Sequence, residues 1–128
     1  MITTKIISEY LKTLFPTDII TTGFIDRNNK QCIALYCKGD VPLYNTIGPG
    51  TQAIAGIPIV VLVHWTDNYD TCETKANLVY EALKNMKMVA TGGFVLTAQL
   101  KQGYAVDIGR DDHNICERSI PLNIIYQV

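Results

Sequence analysis

Charge is the first thing this sequence is short of. Asp, Glu, Lys and Arg supply 18% of its 128 residues, where an average globular protein has about a quarter. What charge there is nearly cancels, to a formal net of −1. A general nucleic-acid or membrane-surface binder would need a strong basic excess. There is no basic stripe with interleaved aromatics and no helix-turn-helix signal, so recognition of nucleic-acid sequence is not expected. Long apolar runs are missing too. No stretch reaches the about 18 residues of a membrane span. Lys5, Ser8, Glu9 and Lys12 interrupt the first fifteen residues, which leaves no apolar core for a signal peptide. The expectation is a protein made and folded in a cytoplasm, without a membrane partner.

Other signatures are absent as well. The four cysteines, Cys32, Cys37, Cys72 and Cys116, form no C-x-x-C and stand near no paired-His spacing. Four reduced, mostly buried thiols are expected, and no metal or other cofactor. Cys32 and Cys37 are an odd number of residues apart on a probable strand, which puts them on opposite faces. Gly48-Pro49-Gly50-Thr51 lacks the G-x-x-x-x-G-K-[ST] spacing and no helix follows it, so it is not a phosphate loop.

What is present is apolar material, 48% of the chain, enough for the core of one domain over residues 1–128. The chain is organised around Ile57–Met86. The strand Ile57–Trp65 is apolar on both faces apart from His64, as in a central strand covered on both sides or by helix and partner. Asp70 then caps a helix, with Glu73 completing a capping box. Cys72, Ala76, Val79, Tyr80, Leu83 and Met86 form its buried stripe, and Lys75, Asn77, Glu81 and Lys84 face out. An earlier helix runs from a cap at Thr3 or Thr4 to about Leu14. Its stripe is Ile6, Ile7, Tyr10, Leu11, Leu14 and Phe15, its polar face is Lys5, Ser8, Glu9 and Lys12, and Pro16 stops it. A hairpin follows, Ile19–Ile25 and Gln31–Tyr36 around the turn 26–30, with Phe24, Ile33 and Leu35 in the core. Phe94–Leu100, Tyr104–Ile108 and Ile115–Tyr126 read as the remaining strands, the last with Ile120, Leu122, Ile124 and Tyr126 on one face. Pro121 predicts that this last strand is an edge or bulged strand. The expected fold class is α+β: one mostly antiparallel (mixed) sheet with two helices packed on it, in the order α-β-β-loop-β-α-β-β-β.

Between Gly39 and Gly56 the sequence GDVPLYNTIGPGTQAIAG has no clean period and is apolar for a loop, with Val41, Leu43, Tyr44, Ile47 and Ile54. It reads equally as a subunit contact or as a loop that packs its own side chains. His64 reads as a structural histidine rather than a general base. Asp111, Asp112 and His113, consecutive on a hairpin tip, point apart and make a poor metal site. With Asp107, Glu117, Arg110 and Arg118 they form a mixed-charge ribbon, either a soluble face or polar complementarity in a subunit interface. No catalytic signature appears, and an enzyme is not expected. The competing reading is a small α+β ligand-binding domain or enzyme, with a pocket under the Gly39–Gly56 loop where His64, Trp65 and Tyr44 converge with carboxylates.

The run VDIGRDDHNICERSIPLNIIY resembles the ending of a family of small phage structural proteins. These are minor capsid proteins similar to siphophage tail-terminator or tail-to-head joining proteins. The pattern V-x-x-G-R-D-[DE]-x-x-[GN]-I-x-E is matched by Val106, Gly109, Arg110, Asp111, Asp112, Ile115 and Glu117, with Asn123 and Tyr126 in the strand that follows. Pro58, Val60 and Leu62, then Ala76, Tyr80, Ala82 and Leu83, match the family's strand and helix. The Gly/Pro-rich loop before that strand is a family feature, and Pro121 departs from the pattern. The resemblance covers Gly39 to the C-terminus. It implies a non-enzymatic virion protein of the tail or neck, which assembles with itself into a ring, commonly hexameric. Such a ring caps the tail tube, halts its growth and offers a surface to head-completion or connector proteins. On that basis the expected subunit contacts are Leu43, Tyr44, Ile47 and Ile54 in the loop, and Arg110, Asp111 and Asp112 in the hairpin.

Overall fold

Strand β3 (Ile54–Trp65) lies inside the sheet, antiparallel to β2 (Gln31–Cys37) on one side and to β7 (Cys116–Gln127) on the other. The computed structural model describes residues 2–25, 30–39 and 54–127, for Ile54 the backbone alone. The remaining elements are α1 (Thr4–Leu14), β1 (Ile20–Thr22), α2 (Tyr69–Lys84), β4 (Val89–Thr91), β5 (Phe94–Leu100) and β6 (Val106–Arg110). The strands form one mixed sheet in the order β1-β2-β3-β7-β5-β4, with β6 also paired to β7. This is an α+β fold with, among the described residues, two helices and a mostly antiparallel sheet. The Lys101 ammonium, just past β5, lies beside Gly39, just past β2. With β3 and β7 between them in the sheet, that approach requires a strongly curled sheet.

Pleating decides which side chains meet the helices. Ile59, Val61, Val63 and Trp65 of β3 point to one side, together with Ile33 and Leu35 of β2 and Ile120, Leu122, Ile124 and Tyr126 of β7. They join Ile7 and Leu11 of α1 and Cys72, Ala76, Val79 and Leu83 of α2 in one buried cluster. The opposite face carries Tyr36, Pro58, Val60, Leu62 and Ser119, all partly exposed, and no helix covers it among the described residues.

Several expectations change. Ile19–Tyr36 is not a hairpin: β1 runs parallel to β2, Ile20 opposite Ile33 and Thr22 opposite Leu35. Three residues of strand span only about 10 Å, so residues 23–30 are long enough to return the chain to the same end. The turn residues 26–29 lie outside the described residues. Phe24 is then exposed rather than in the core. In α1, Leu14 is exposed. Ser8 is buried, its hydroxyl donating to the Lys5 carbonyl at 2.7 Å, which lets a small polar group sit on an apolar face. The cap of α2 is Asn68, whose Oδ1 accepts from Thr71 N at 3.1 Å; Asp70 falls in the first turn. Lys75 does not face out. Its ammonium pairs with Asp18 and lies 4.7 Å from the Phe15 ring centre and 4.8 Å from that of Trp65, where its apolar stem covers aromatic surface.

Pro121 does not mark an edge either. β7 is interior, bonded to β3 along its length and, on its other side, to β6 and then β5. The Pro121 carbonyl accepts from Lys101 N at 3.1 Å, so its missing N–H would face that same side, at the changeover between β6 and β5. The ladder to β3 loses nothing. An extra strand, β4, pairs with β5 across Gly92-Gly93, both at positive φ (57° and 83°). This is the two-residue turn that only left-handed conformations close without splaying the strands.

Candidate functional site

The hairpin between β6 and β7 is framed by its own motif. Oδ1 of Asp111 accepts from the backbone N–H groups of His113 and Ile115, each at 2.9 Å. Arg110 Nη1 donates to the Asn114 carbonyl at 3.0 Å, across the tip, and to the Asp67 carbonyl at 2.8 Å, in the turn before α2. Asn114 takes a left-handed conformation, φ 65°, which Asn tolerates. Thr66, β-branched yet at φ 47°, is held on both sides: its N–H donates to the Lys30 carbonyl at 2.7 Å and its carbonyl accepts from Cys116 N at 2.8 Å. Strain of this kind persists only where neighbours fix it.

His64 ties the strand beneath to the same tip. It is buried, directly across from Glu117 in the ladder, with Nδ1 3.1 Å from Glu117 Oε2 and 3.7 Å from Asp111 Oδ2. Burial acts to raise the Asp111 carboxyl. The N–H groups of Ile115 and His113 and the nearby imidazoles of His64 and His113 outweigh it, and the net shift is downward. On the helix side Arg118 is buried, donating to the Ala105 carbonyl at 3.2 Å and to Glu73 Oε2 at 3.0 Å, with its guanidinium 5.0 Å from the Tyr69 ring centre. Glu73 thus serves Arg118 in place of a capping box.

Of the residues expected to contact another subunit, Arg110, Asp111 and Asp112 are brought together, with the first two bonded inward. Asp112 is exposed, and its side chain makes no hydrogen bond among the described residues. Leu43, Tyr44 and Ile47 lie outside the described residues. Ile54 opens β3 opposite Gln127. His64 and Trp65 are successive residues of one strand and face opposite sides, so they do not converge in a pocket. Tyr44, the third member of that expected pocket, is outside the description. The grooves near Trp65 are shallow surface features, such as that of about 320 Å³ between Asp18, Lys30, Gln31 and Thr66. Among the described residues no three His, Cys, Asp or Glu side chains are arranged to hold a metal ion, and no helix is long and apolar enough to cross a membrane. All four cysteines are free. Burial, with Cys116 adding to it, pushes the Cys72 thiol up to about 11, so it is poorly nucleophilic.

The links from Arg110 to Asp67 and from His64 to Glu117 are what residue periodicity could not supply. Both depend on which strands pair, and only the family pattern around Arg110-Asp111 hinted that the tip is specified.

One comparison with known proteins, a family model, agrees with that pattern. A solved chain known by a bare sequence identifier is similar at 16% identity and a TM-score of 0.47, over 97% of this chain and 88% of its own. No protein of curated function matches. The family model described as bacteriophage tail terminator protein matches residues 10–128, reaching further toward the N-terminus than the motifs themselves. The chain belongs to the bacteriophage tail terminator family and has a structural role in the phage tail.

Proposed function

We propose that this protein closes with copies of itself into a ring at the head-proximal end of the tail tube. There it stops tube growth and offers a docking surface to the head-completion or connector protein. The observation that carries the reading is the family match over residues 10–128. Two features support it. A ring interface is head-to-tail, so each subunit needs two different patches, and the sheet has unlike faces, one covered by helices and one that no helix covers among the described residues. The tip of the β6–β7 hairpin is also held rigidly from within, and a rigid loop loses little conformational entropy on docking. In this reading Arg110 and Asp111 set the shape of the tip, Asp112 and His113 are what it presents, and the Leu43–Ile54 segment supplies a second contact. The protein acts by assembly and performs no catalysis.

The test is to disrupt the gene in its phage and image the products by negative-stain electron microscopy. Tail tubes of unregulated length and heads without attached tails are expected. Joined particles with tails of normal length would reject the reading.

A further inference from the structure

Lys75 is held more closely than a surface ion pair requires. Its ammonium, in the second turn of α2, lies 4.7 Å from the ring centre of Phe15 and 4.8 Å from that of Trp65, and pairs with the Asp18 carboxylate. We propose that Phe15, Trp65 and Asp18 form a binding cage for a primary alkylammonium group, with Lys75 as its built-in and removable ligand. The site is separate from the hairpin tip, and the proposal goes beyond the ring reading without depending on it.

Three parts of the chain build the walls. Phe15 caps the end of α1, where Pro16 stops the helix. In the turn that follows, Asp18 N donates to the Phe15 carbonyl at 3.2 Å, which brings the acid back beside the ring. Trp65 ends β3 and belongs to the cluster beneath the helices. Two rings and a carboxylate around one ammonium are what alkylammonium recognition needs, since the ring faces are electron-rich and the acid supplies the countercharge. Partial burial strengthens the attraction. Trp65 is 7% exposed, and the side chains of Asp18 and Lys75 are 12% and 15% exposed, so water screens the group less than on an open surface. The cage is still reachable. Grooves open on both sides of the indole, one bordered by Asp18 and Lys30, the other by Lys75 and Leu78. Lys30 stands on a rim and is exposed, whereas Lys75 lies over both rings. Lys75 enters from α2 on a flexible four-carbon stem, so shortening it empties the cage and leaves the walls, which belong to α1, the turn and β3. In the intact chain the filled cage fastens α2 to the end of α1 and to the turn that leads into β1.

The full chain carries its own probe, because Trp65 is the single tryptophan. n-Propylammonium chloride supplies the atoms that Lys75→Ala removes. It is titrated at constant ionic strength while Trp65 fluorescence and the melting temperature are followed, with neutral 1-propanol as the control for apolar filling. Lys75→Ala should melt below the unmodified protein. n-Propylammonium should restore about half of that loss or more and change the fluorescence, with half-saturation below about 100 mM; 1-propanol should do neither. Adding Asp18→Asn to Lys75→Ala should weaken the response about threefold or more. The unmodified protein, its cage filled, should not respond. Lys75→Met keeps an apolar stem without the charge and should also melt lower. Lys75→Ala protein that responds alike to n-propylammonium and 1-propanol, or to neither, would overturn the proposal. So would Lys75→Met protein as stable as the unmodified one, or an equal response from the unmodified protein. None of these results would touch the terminator reading itself, which is decided by tube length in the phage.

Discussion

Replacing Asp111 by Ala separates framing of the hairpin from contact with a partner. The substitution removes one acceptor and leaves two backbone N–H groups without it, those of His113 and Ile115. A hydrogen bond to a charged group contributes about 1.5–3 kcal/mol. His113 is exposed, so water can replace the lost acceptor there, whereas Ile115 is 5% exposed and its N–H is harder to hydrate. The expected loss is about 2–3 kcal/mol, most of it from Ile115. Asp111→Asn keeps an oxygen in place and should lose about 1 kcal/mol. Urea unfolding at pH 7 measures this: with a slope of about 1–3 kcal/mol per molar, the midpoint of Asp111→Ala should fall by about 1 M or more. The pH dependence has a definite sign. The Asp111 carboxyl is shifted downward on folding, so its contribution is present above the ordinary carboxylate value of about 3.9 and fades as pH falls through the lower folded value. The gap between Asp111→Ala and the unmodified protein should be full at pH 7 and narrow below about pH 4. An Asp111→Ala protein that unfolds with the unmodified midpoint, yet fails to assemble, would refute framing and make Asp111 a contact residue.

Three further outcomes follow from local geometry. Gly92→Ala should destabilise more than Gly93→Ala in thermal melts. Both positions have positive φ, costing about 1–2 kcal/mol for a side chain, but at Gly92 an added Cβ would also stand 2.8 Å from Ile6 Cγ2, while Gly93 has open space. Asn123→Leu removes an acceptor that meets no donor among the described residues, so the monomer should be unchanged or up to about 1 kcal/mol more stable in urea; a loss above that size would mean the amide has a partner. Alkylation at pH 8, read by mass spectrometry, should mark Cys37 first, because Cys32, Cys72 and Cys116 are buried; early labelling of Cys72 would contradict its burial and raised pKa.

What could be read from the sequence was mostly what depends on near neighbours. The 3.6-residue stripe of α2 and the unbroken apolar run of β3 specify themselves, and both appear where expected. Errors gathered where the answer depends on distant pairing. The parallel course of β1 cannot be told from a hairpin by alternation alone, since both give the same inward pattern. Pro121 signals an edge only if its empty side faces solvent; here it faces the junction where β7 changes partner from β6 to β5. Asn68 outcompeted Asp70 as the cap because the turn after Thr66 starts the helix two residues earlier than the capping-box pattern implied. In the hairpin, the pattern around Arg110-Asp111 was recognisable as a motif. That Arg110 bonds the Asp67 carbonyl, and that Asp111 approaches His64, became visible only once β3 and β7 were paired.

The position of this protein in the particle is the most direct measure of its role. Phage carrying a small epitope at the exposed Tyr104 loop would be labelled with gold-conjugated antibody and imaged by electron microscopy. Gold at the junction of head and tail, on each intact particle and on the free end of isolated tails, is the predicted result. Gold along the tube, at the distal tip or on no purified particle would contradict a terminator that caps the tube.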